Sequence, residues 1–492
     1  YVIRAELLQE NESLKAENSV QKARIDALEL QLAQLIKLVN GFKSERFVAS
    51  SLDIHQPTLF NLETQTIERP VPEEEITYTR SKKKHPGRNK LPEHLPVKEV
   101  TIEPEEPTDG LVKIGEEISE TLEYTPASLV KRRTIRPKYA KSDGQGVLIA
   151  ELPPRPIDKS IAEACLLAYI LVSKYVDHLP LYRQIQMFNR DFGWQASQST
   201  LCDWVNSCCV LLEPLYNMLK QKVLSSDYIQ VDESPMKVLD KDKIKSAHQG
   251  YQWVYHDPLQ RLVLFNYRKG RGQHGPKELL SGYKGYLQCD GYSVYDKIGT
   301  QEHITLVGCL VHARRKFYDA LDNDPSRAKH ALQIFTQVYR IENELKSIED
   351  LEQKQNQRLE QIQPLLEELK NWIEQESLKV LPKSAIGKAM AYYLNQYHKL
   401  INVTRDARLE LDNNLIENTI RPMALGRKNY LFAGSHKAAQ NAAMLYSFFG
   451  SCKLINVNPR EWMHFVLENI KEWNIQQLEK LLPHNFHKIK SM

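Results

Sequence analysis

No cysteine occurs before Cys165, and the seven present (Cys165, Cys202, Cys208, Cys209, Cys289, Cys309 and Cys452) are odd in number and scattered, mostly in apolar stretches. That pattern excludes a disulfide framework and fits reduced thiols in a cytoplasmic protein. Nor is there a run of eighteen apolar residues, so no membrane-spanning helix is expected. A signal peptide is missing too: the first residues, YVIRAELLQE, are charged and helix-forming. The chain starts at Tyr1 rather than Met, so a true N-terminus upstream is expected. Large net charge is absent, at a formal +4, and any nucleic-acid signal must come from local clusters. What remains is a 492-residue chain with 42% hydrophobic and 26% charged residues, a globular composition long enough for several domains.

Residues 4–39 read as one helix with a heptad repeat. Leu7, Asn11, Leu14, Asn18, Gln21, Ile25, Leu28, Leu32, Leu35 and Val39 alternate at steps of four and three. This seam predicts a coiled coil that makes a homodimer or higher oligomer, with Asn11 and Asn18 setting register. An amphipathic helix packed on its own domain is the alternative. Residues 46–92 lose periodicity and read as a flexible basic linker; Lys83, Lys84 and Arg88 either lie along DNA phosphates or are simply solvated. Residues 93–155 suggest a small β domain. Residues 156–223 are helical, and a turn near Phe192-Gly193-Trp194 makes residues 182–205 a candidate helix-turn-helix, although such pairs also occur in plain bundles.

From residue 228 the pattern changes. Residues 228–232 read as a strand ending at Asp232, which Glu233-Ser234-Pro235 should stop. A hairpin is expected around Asp257-Pro258, then a short helix at 276–280, strands at 285–290 and 304–309, and a helix from His312. That is the chain order of an RNase H-like nuclease core, occupying 224–321 and resuming with a helix in 406–440. An α-helical insertion at 322–405 separates the parts, and 441–492 form a C-terminal helical region.

Cleaving a phosphodiester requires a nucleophile, a stabilised leaving oxygen and neutralised phosphate charge, which two Mg²⁺ ions held by carboxylates supply. Asp232 and Asp290 end two strands, and a later helix carries Glu417. Taken alone, Glu417 has bland readings: a capping box with Asn414, or an ion pair with Arg421 one turn on. The segments VDESPMKVL, LQCDGYSVYD and LDNNLIENTIRPMALGRKNYLFAGS resemble the three acidic motifs of the insertion sequence 66 transposase family. SKYVDHLPLYRQ, STLCDWV, VHARRKF, GFKSERF and HPGRNKLPEHLP also match, so the resemblance runs from about residue 5 to about residue 475. It implies a DDE transposase with catalytic and metal-binding roles on Asp232, Asp290 and Glu417.

One departure stands out. Family members commonly carry a zinc-binding domain with two Cys pairs, whereas the matching stretches here, EPTDGLVKIGEE and RPKYAKSDGQGV, have none, so no zinc is expected. Cys309 and His312 form C-x-x-H without a second pair and read mainly as structural, His312 alternatively touching substrate or the third carboxylate. Glu233 should face away from Asp232. Arg271 and His274 lie in the Gly-rich loop RKGRGQHGP, either contacting a phosphate backbone or forming an ordinary mobile loop. Arg314, Arg315, Arg421, Arg427 and Lys428 are expected to meet DNA. The expectation is therefore an α/β RNase H-like core with a helical insertion, an N-terminal coiled coil, a small β domain and a helical domain. It would use two Mg²⁺, with Mn²⁺ as substitute, to hydrolyse element 3′ ends and join each 3′-OH to target DNA, with accessory proteins of the same element as further partners. Asp232 and Asp290 would bridge the ions and Glu417 complete one shell. A catalytically inactive end-binding protein and a nuclease without joining activity are the alternatives.

Overall fold

In the computed structural model, which describes residues 128–133, 138–140, 147–149, 154–239 and 247–490, the strand predicted to stop at Asp232 runs on as β3 (Tyr228–Leu239). Two short strands precede it, β1 (Lys138–Ala140) and β2 (Val147–Ile149), which pair antiparallel. The expected coiled-coil helix at 4–39, the linker with Lys83, Lys84 and Arg88, and most of 93–155 lie outside the described residues. Pro235 does not break β3, for a topological reason. The last β3 residue paired with the next parallel strand is Gln230. Beyond it one side of β3 has no strand neighbour, and a missing N–H is tolerated there.

Three helices lead into this strand: α1 (Ala164–Tyr175), α2 (Leu181–Phe192) and α3 (Gln198–Leu224). Gly193, at φ +64°, ends α2 in the left-handed conformation that glycine adopts without a Cβ penalty. The N-cap of α3 is Ser197, whose hydroxyl accepts from the Thr200 N–H at 3.0 Å. One face of α3 enters the core, with Leu201, Leu212, Leu215 and Leu219 fully buried.

β3 pairs antiparallel with β4 (Ala247–Asp257), which pairs antiparallel with β5 (Leu262–Arg268). The hairpin turn is held by Asp257, whose Oδ1 accepts from the N–H groups of Leu259 and Gln260. After α4 (His274–Leu279), β6 (Gly285–Cys289) returns parallel to β3; α5 (Ser293–Ile298) and β7 (Ile304–Gly308) follow, β7 parallel to β6. The order β5-β4-β3-β6-β7, antiparallel then parallel, is the RNase H-like arrangement that the chain order predicts.

Helix α6 (Leu310–Asp319) leaves β7, and the chain then becomes helical through α7 (Pro325–Leu345), α8 (Leu351–Gln357), a π-helical turn (Arg358–Ile362), α9 (Gln363–Glu376) and α10 (Ala385–Leu400). Arg358 is 1% exposed and holds Glu342 at 2.6 and 2.9 Å, while its Nη1 donates to the Asp406 carbonyl at 3.0 Å. That buried pair fixes the exit of the helical segment. Arg408 then ties Asp406 to Asp227, just before β3.

The chain re-enters the core as α11 (Asn414–Tyr430), followed by α12 (His436–Leu454), α13 (Pro459–Asn469) and α14 (Phe486–Lys490). α12 lies along the edge strand β5. Ser451 and Ser447, one turn apart and fully buried, accept from the Val263 and Phe265 N–H groups at 3.0 and 2.7 Å. Between them Gly450 allows the close approach, since a Cβ there would meet Val263 Cγ1 at 2.7 Å. Among the described residues no helix is long and apolar enough to cross a membrane.

Candidate active site

The β3–β6 register sets two carboxylates side by side. Gln230 lies opposite Gln288, and two residues further along each strand stands an aspartate, Asp232 and Asp290. Adjacent strands are about 5 Å apart, so both acids stand side by side just past the last parallel-paired residues, Asp232 within β3 and Asp290 directly after β6. Asp232 Oδ1 accepts from the Glu233 N–H at 2.7 Å, and Asp290 Oδ1 from the Tyr292 N–H at 2.9 Å. Both side chains are half-buried. Burial pushes the Asp232 carboxyl up from 3.8 to about 8, with the charges of Glu233, Asp290 and Glu417 adding to the rise and the Glu233 N–H opposing it. Glu417 thus comes close enough for its charge to be felt at Asp232.

A buried polar frame places Glu417. Tyr228, Gln230 and Gln288 are fully buried and hydrogen-bond to one another. Gln230 Nε2 donates to the Asp412 carbonyl at 3.1 Å and Gln288 Nε2 to the Glu410 carbonyl at 2.7 Å; the Glu410 N–H donates to Tyr228 Oη at 3.1 Å. The buried Asn413 side chain donates to the Val231 carbonyl, and its N–H to Cys309 Sγ. The two strands that carry the aspartates therefore grip the segment that starts α11, with Glu417 in its first turn. His256 Nδ1 lies 3.0 Å from Gln230 Oε1, and burial lowers its pKa to about 4, so the ring is neutral and donates that proton. These glutamines are not among the residues that the sequence alone marks for the site. Their signal was a repeated Gln-x-Asp, Gln230-Val231-Asp232 and Gln288-Cys289-Asp290, with both polar residues on one strand face.

The capping box at Asn414 does not form, because Asn413 is the N-cap and its side chain is spent on Val231. Instead Glu417 faces His312 Nε2 at 3.8 Å, and the buried His312 Nδ1 has no hydrogen-bond partner. Glu233 faces away from Asp232 and binds Arg271 and Tyr295. Arg314 and Arg315 are exposed on α6, as are Arg421 and Lys428 on α11. Arg427 is half-buried and donates to the Pro235 carbonyl, tying α11 to β3. Lys83, Lys84 and Arg88 lie outside the described residues.

Among the described residues, no group of three or more His, Cys, Asp or Glu side chains is gathered tightly enough to hold a metal ion as it stands. The donor chemistry nevertheless fits a hard divalent cation. Asp232, Asp290 and Glu417 offer only carboxylate oxygens, and the burial and then the neighbouring negative charge that raise the Asp232 carboxyl are what a cation would offset.

Comparison with known proteins agrees with the strand order. The model of the family "Transposase IS66 family" matches residues 159–441, "Transposase C of IS166 homeodomain" matches 27–100, and "IS66 C-terminal element" matches 447–484. An uncharacterized protein of Sinorhizobium fredii, y4qI, is 31% identical over 96% of this chain and 95% of its own length. A second from that organism, y4jD, is 33% identical over 93% of this chain and 94% of its own. No solved structure matches. With a mixed RNase H-like sheet, two register-matched aspartates and a family model spanning more than half its length, the chain belongs to the IS66 family of DDE-type transposases.

Proposed function

We propose that this chain cuts and joins DNA: it hydrolyses the 3′ ends of its element and transfers each 3′-OH into target DNA, using Asp232, Asp290 and Glu417. The observation that carries this reading is the register of β3 and β6, which sets Asp232 and Asp290 side by side two residues beyond the Gln230–Gln288 pair, with Glu417 delivered by a segment hydrogen-bonded to the same strands. These three carboxylates would hold two Mg²⁺, with Mn²⁺ as substitute. Bound there, the ions would polarise the phosphate, activate the attacking oxygen and stabilise the leaving one. Asp232 and Asp290 would face both ions, and Glu417 would complete one coordination shell and orient the attacking water. The Tyr228–Gln230–Gln288 frame keeps α11 from drifting away from the two aspartates. Exposed Arg314, Arg315, Arg421 and Lys428 offer positive charge to DNA phosphates on the flanking helices. Residues 4–39 would join two copies, and partner proteins from the same element would act on the assembled complex.

The test uses purified full-length protein, precut element ends and Mg²⁺. Joining to target DNA by the wild-type chain, lost by about 100-fold or more in Asp290→Asn, supports the proposal. Joining retained by Asp290→Asn overturns the site, and cutting without joining points to a plain nuclease.

A further inference from the structure

The Gly-rich loop between β5 and α4 is anchored at both feet. Arg268 is held by Asn266 at 2.9 Å and by Glu278 at 3.0 Å, and the Gly275 backbone packs against its side chain. From this base the loop reaches across β4 to β3. There Arg271 gives its Nε and Nη2 protons to Glu233 Oε1, at 2.9 and 2.6 Å. Its guanidinium also stacks on the Tyr292 ring at 4.1 Å, and its carbonyl accepts from Tyr292 Oη at 3.0 Å.

Each of these contacts is one step from a candidate catalytic aspartate. Glu233 is the residue after Asp232, and Tyr292 gives its N–H to Asp290. The exposures are unequal: the Glu233 side chain is 2% exposed and that of Arg271 is 48% exposed. One face of the guanidinium is therefore pinned to a buried acid that Tyr295 Oη also braces, while the rest of the side chain is open to solvent. Among the described residues its Nη1 has no hydrogen-bond acceptor. A guanidinium fixed in this way is pre-organised, with donors left for a phosphate oxygen.

We propose that Arg271, braced by Glu233 and Tyr292 at the rim of the carboxylate cluster, binds a non-bridging oxygen of a DNA phosphate at the reacting end. This deepens the function proposed above and rests on it. Glu233 and Tyr292 are positioning residues, and Arg271 is the group that touches DNA. His274, in the same loop, has a side chain 92% exposed and 3.8 Å from Glu278, and takes no part.

The experiment measures joining of precut element ends by the full-length protein with Mg²⁺, on duplexes carrying one uncharged methylphosphonate at successive positions around the cut. Arg271→Ala should slow joining of the natural duplex by 10- to 100-fold, and Arg271→Lys should restore it only in part. At one phosphate, the methylphosphonate should slow the wild-type chain by a similar factor and leave Arg271→Ala unchanged. Effects that multiply at every position overturn the proposal. Because Arg271→Ala strands a buried acid, the series is repeated with Glu233→Gln/Arg271→Ala, whose melting midpoint reports on the fold. A double variant that folds like wild type and joins at the wild-type rate also overturns it. Wild-type protein that joins no end, or Asp290→Asn that still joins, overturns the function itself; failure confined to Arg271 leaves that function standing.

Discussion

Replacing Asp232 by Asn should make the metal-free protein more stable at neutral and alkaline pH. The carboxyl of Asp232 is raised from 3.8 to about 8 in the folded chain, chiefly by burial and then by neighbouring carboxylates. The folded state therefore binds this proton more tightly than the unfolded state does. Its contribution to stability falls as pH climbs from 3.8 and is lowest above about 8. At about 1.4 kcal/mol per pH unit the ceiling is about 6 kcal/mol. Solvent reaching the half-buried side chain screens this to about 2 kcal/mol, a few degrees in melting midpoint. Thermal melts with a chelator, from pH 4 to pH 9, should show wild type and Asp232→Asn together at the acid end and the variant higher at the alkaline end. Mg²⁺ should raise the wild-type midpoint near pH 8 and leave the variant where it is. Parallel profiles across the whole range would refute the reasoning.

Glu417→Gln should abolish joining while shifting the melting midpoint little, since Glu417 is only half-buried and its neighbour His312 stands at 3.8 Å; an active variant would contradict the site. Gln288→Leu removes the donor to the Glu410 carbonyl and one partner of Gln230, so it should cost about 1–3 kcal/mol in urea melts and lower kcat more than KM. Glu342→Gln strands the buried Arg358 and should cost about 3–5 kcal/mol, while Glu342→Leu/Arg358→Met should recover most of it; a double variant as unstable as the single would contradict the charge argument. Gly285→Ala should cost about 3 kcal/mol or more, because φ is +133° and the new Cβ would lie 2.2 Å from the Asp227 carbonyl oxygen; circular-dichroism melts measure it.

The sheet was legible in the sequence because its strands are short runs rich in apolar, β-branched and aromatic residues and its hairpin turn carries Asp257-Pro258. Register was not legible, since it depends on pairing between residues about sixty positions apart. β3 outran its expected stop because Pro235 sits where only the chain's topology shows an open strand side. The two aspartates could be read from chain order. Glu417 rested on the family resemblance, for its local pattern reads as a capping box and only the contact of Asn413 with Val231 removes that alternative. Buried glutamines resemble solvent-facing strand residues in a one-dimensional pattern, and their partners lie more than a hundred positions away. Arg427 reads as a free cation in the sequence, yet the structure turns it onto the Pro235 carbonyl.

The two serines of α12 bear on what a truncation would do to this chain. The family models divide the chain between residues 441 and 447, inside that helix. A frameshift or stop codon there would not trim an appendage. It would strip Val263 and Phe265 of their acceptors and turn β5 into an open edge that recruits other chains. Chains truncated there should therefore precipitate or be degraded instead of persisting as soluble protein.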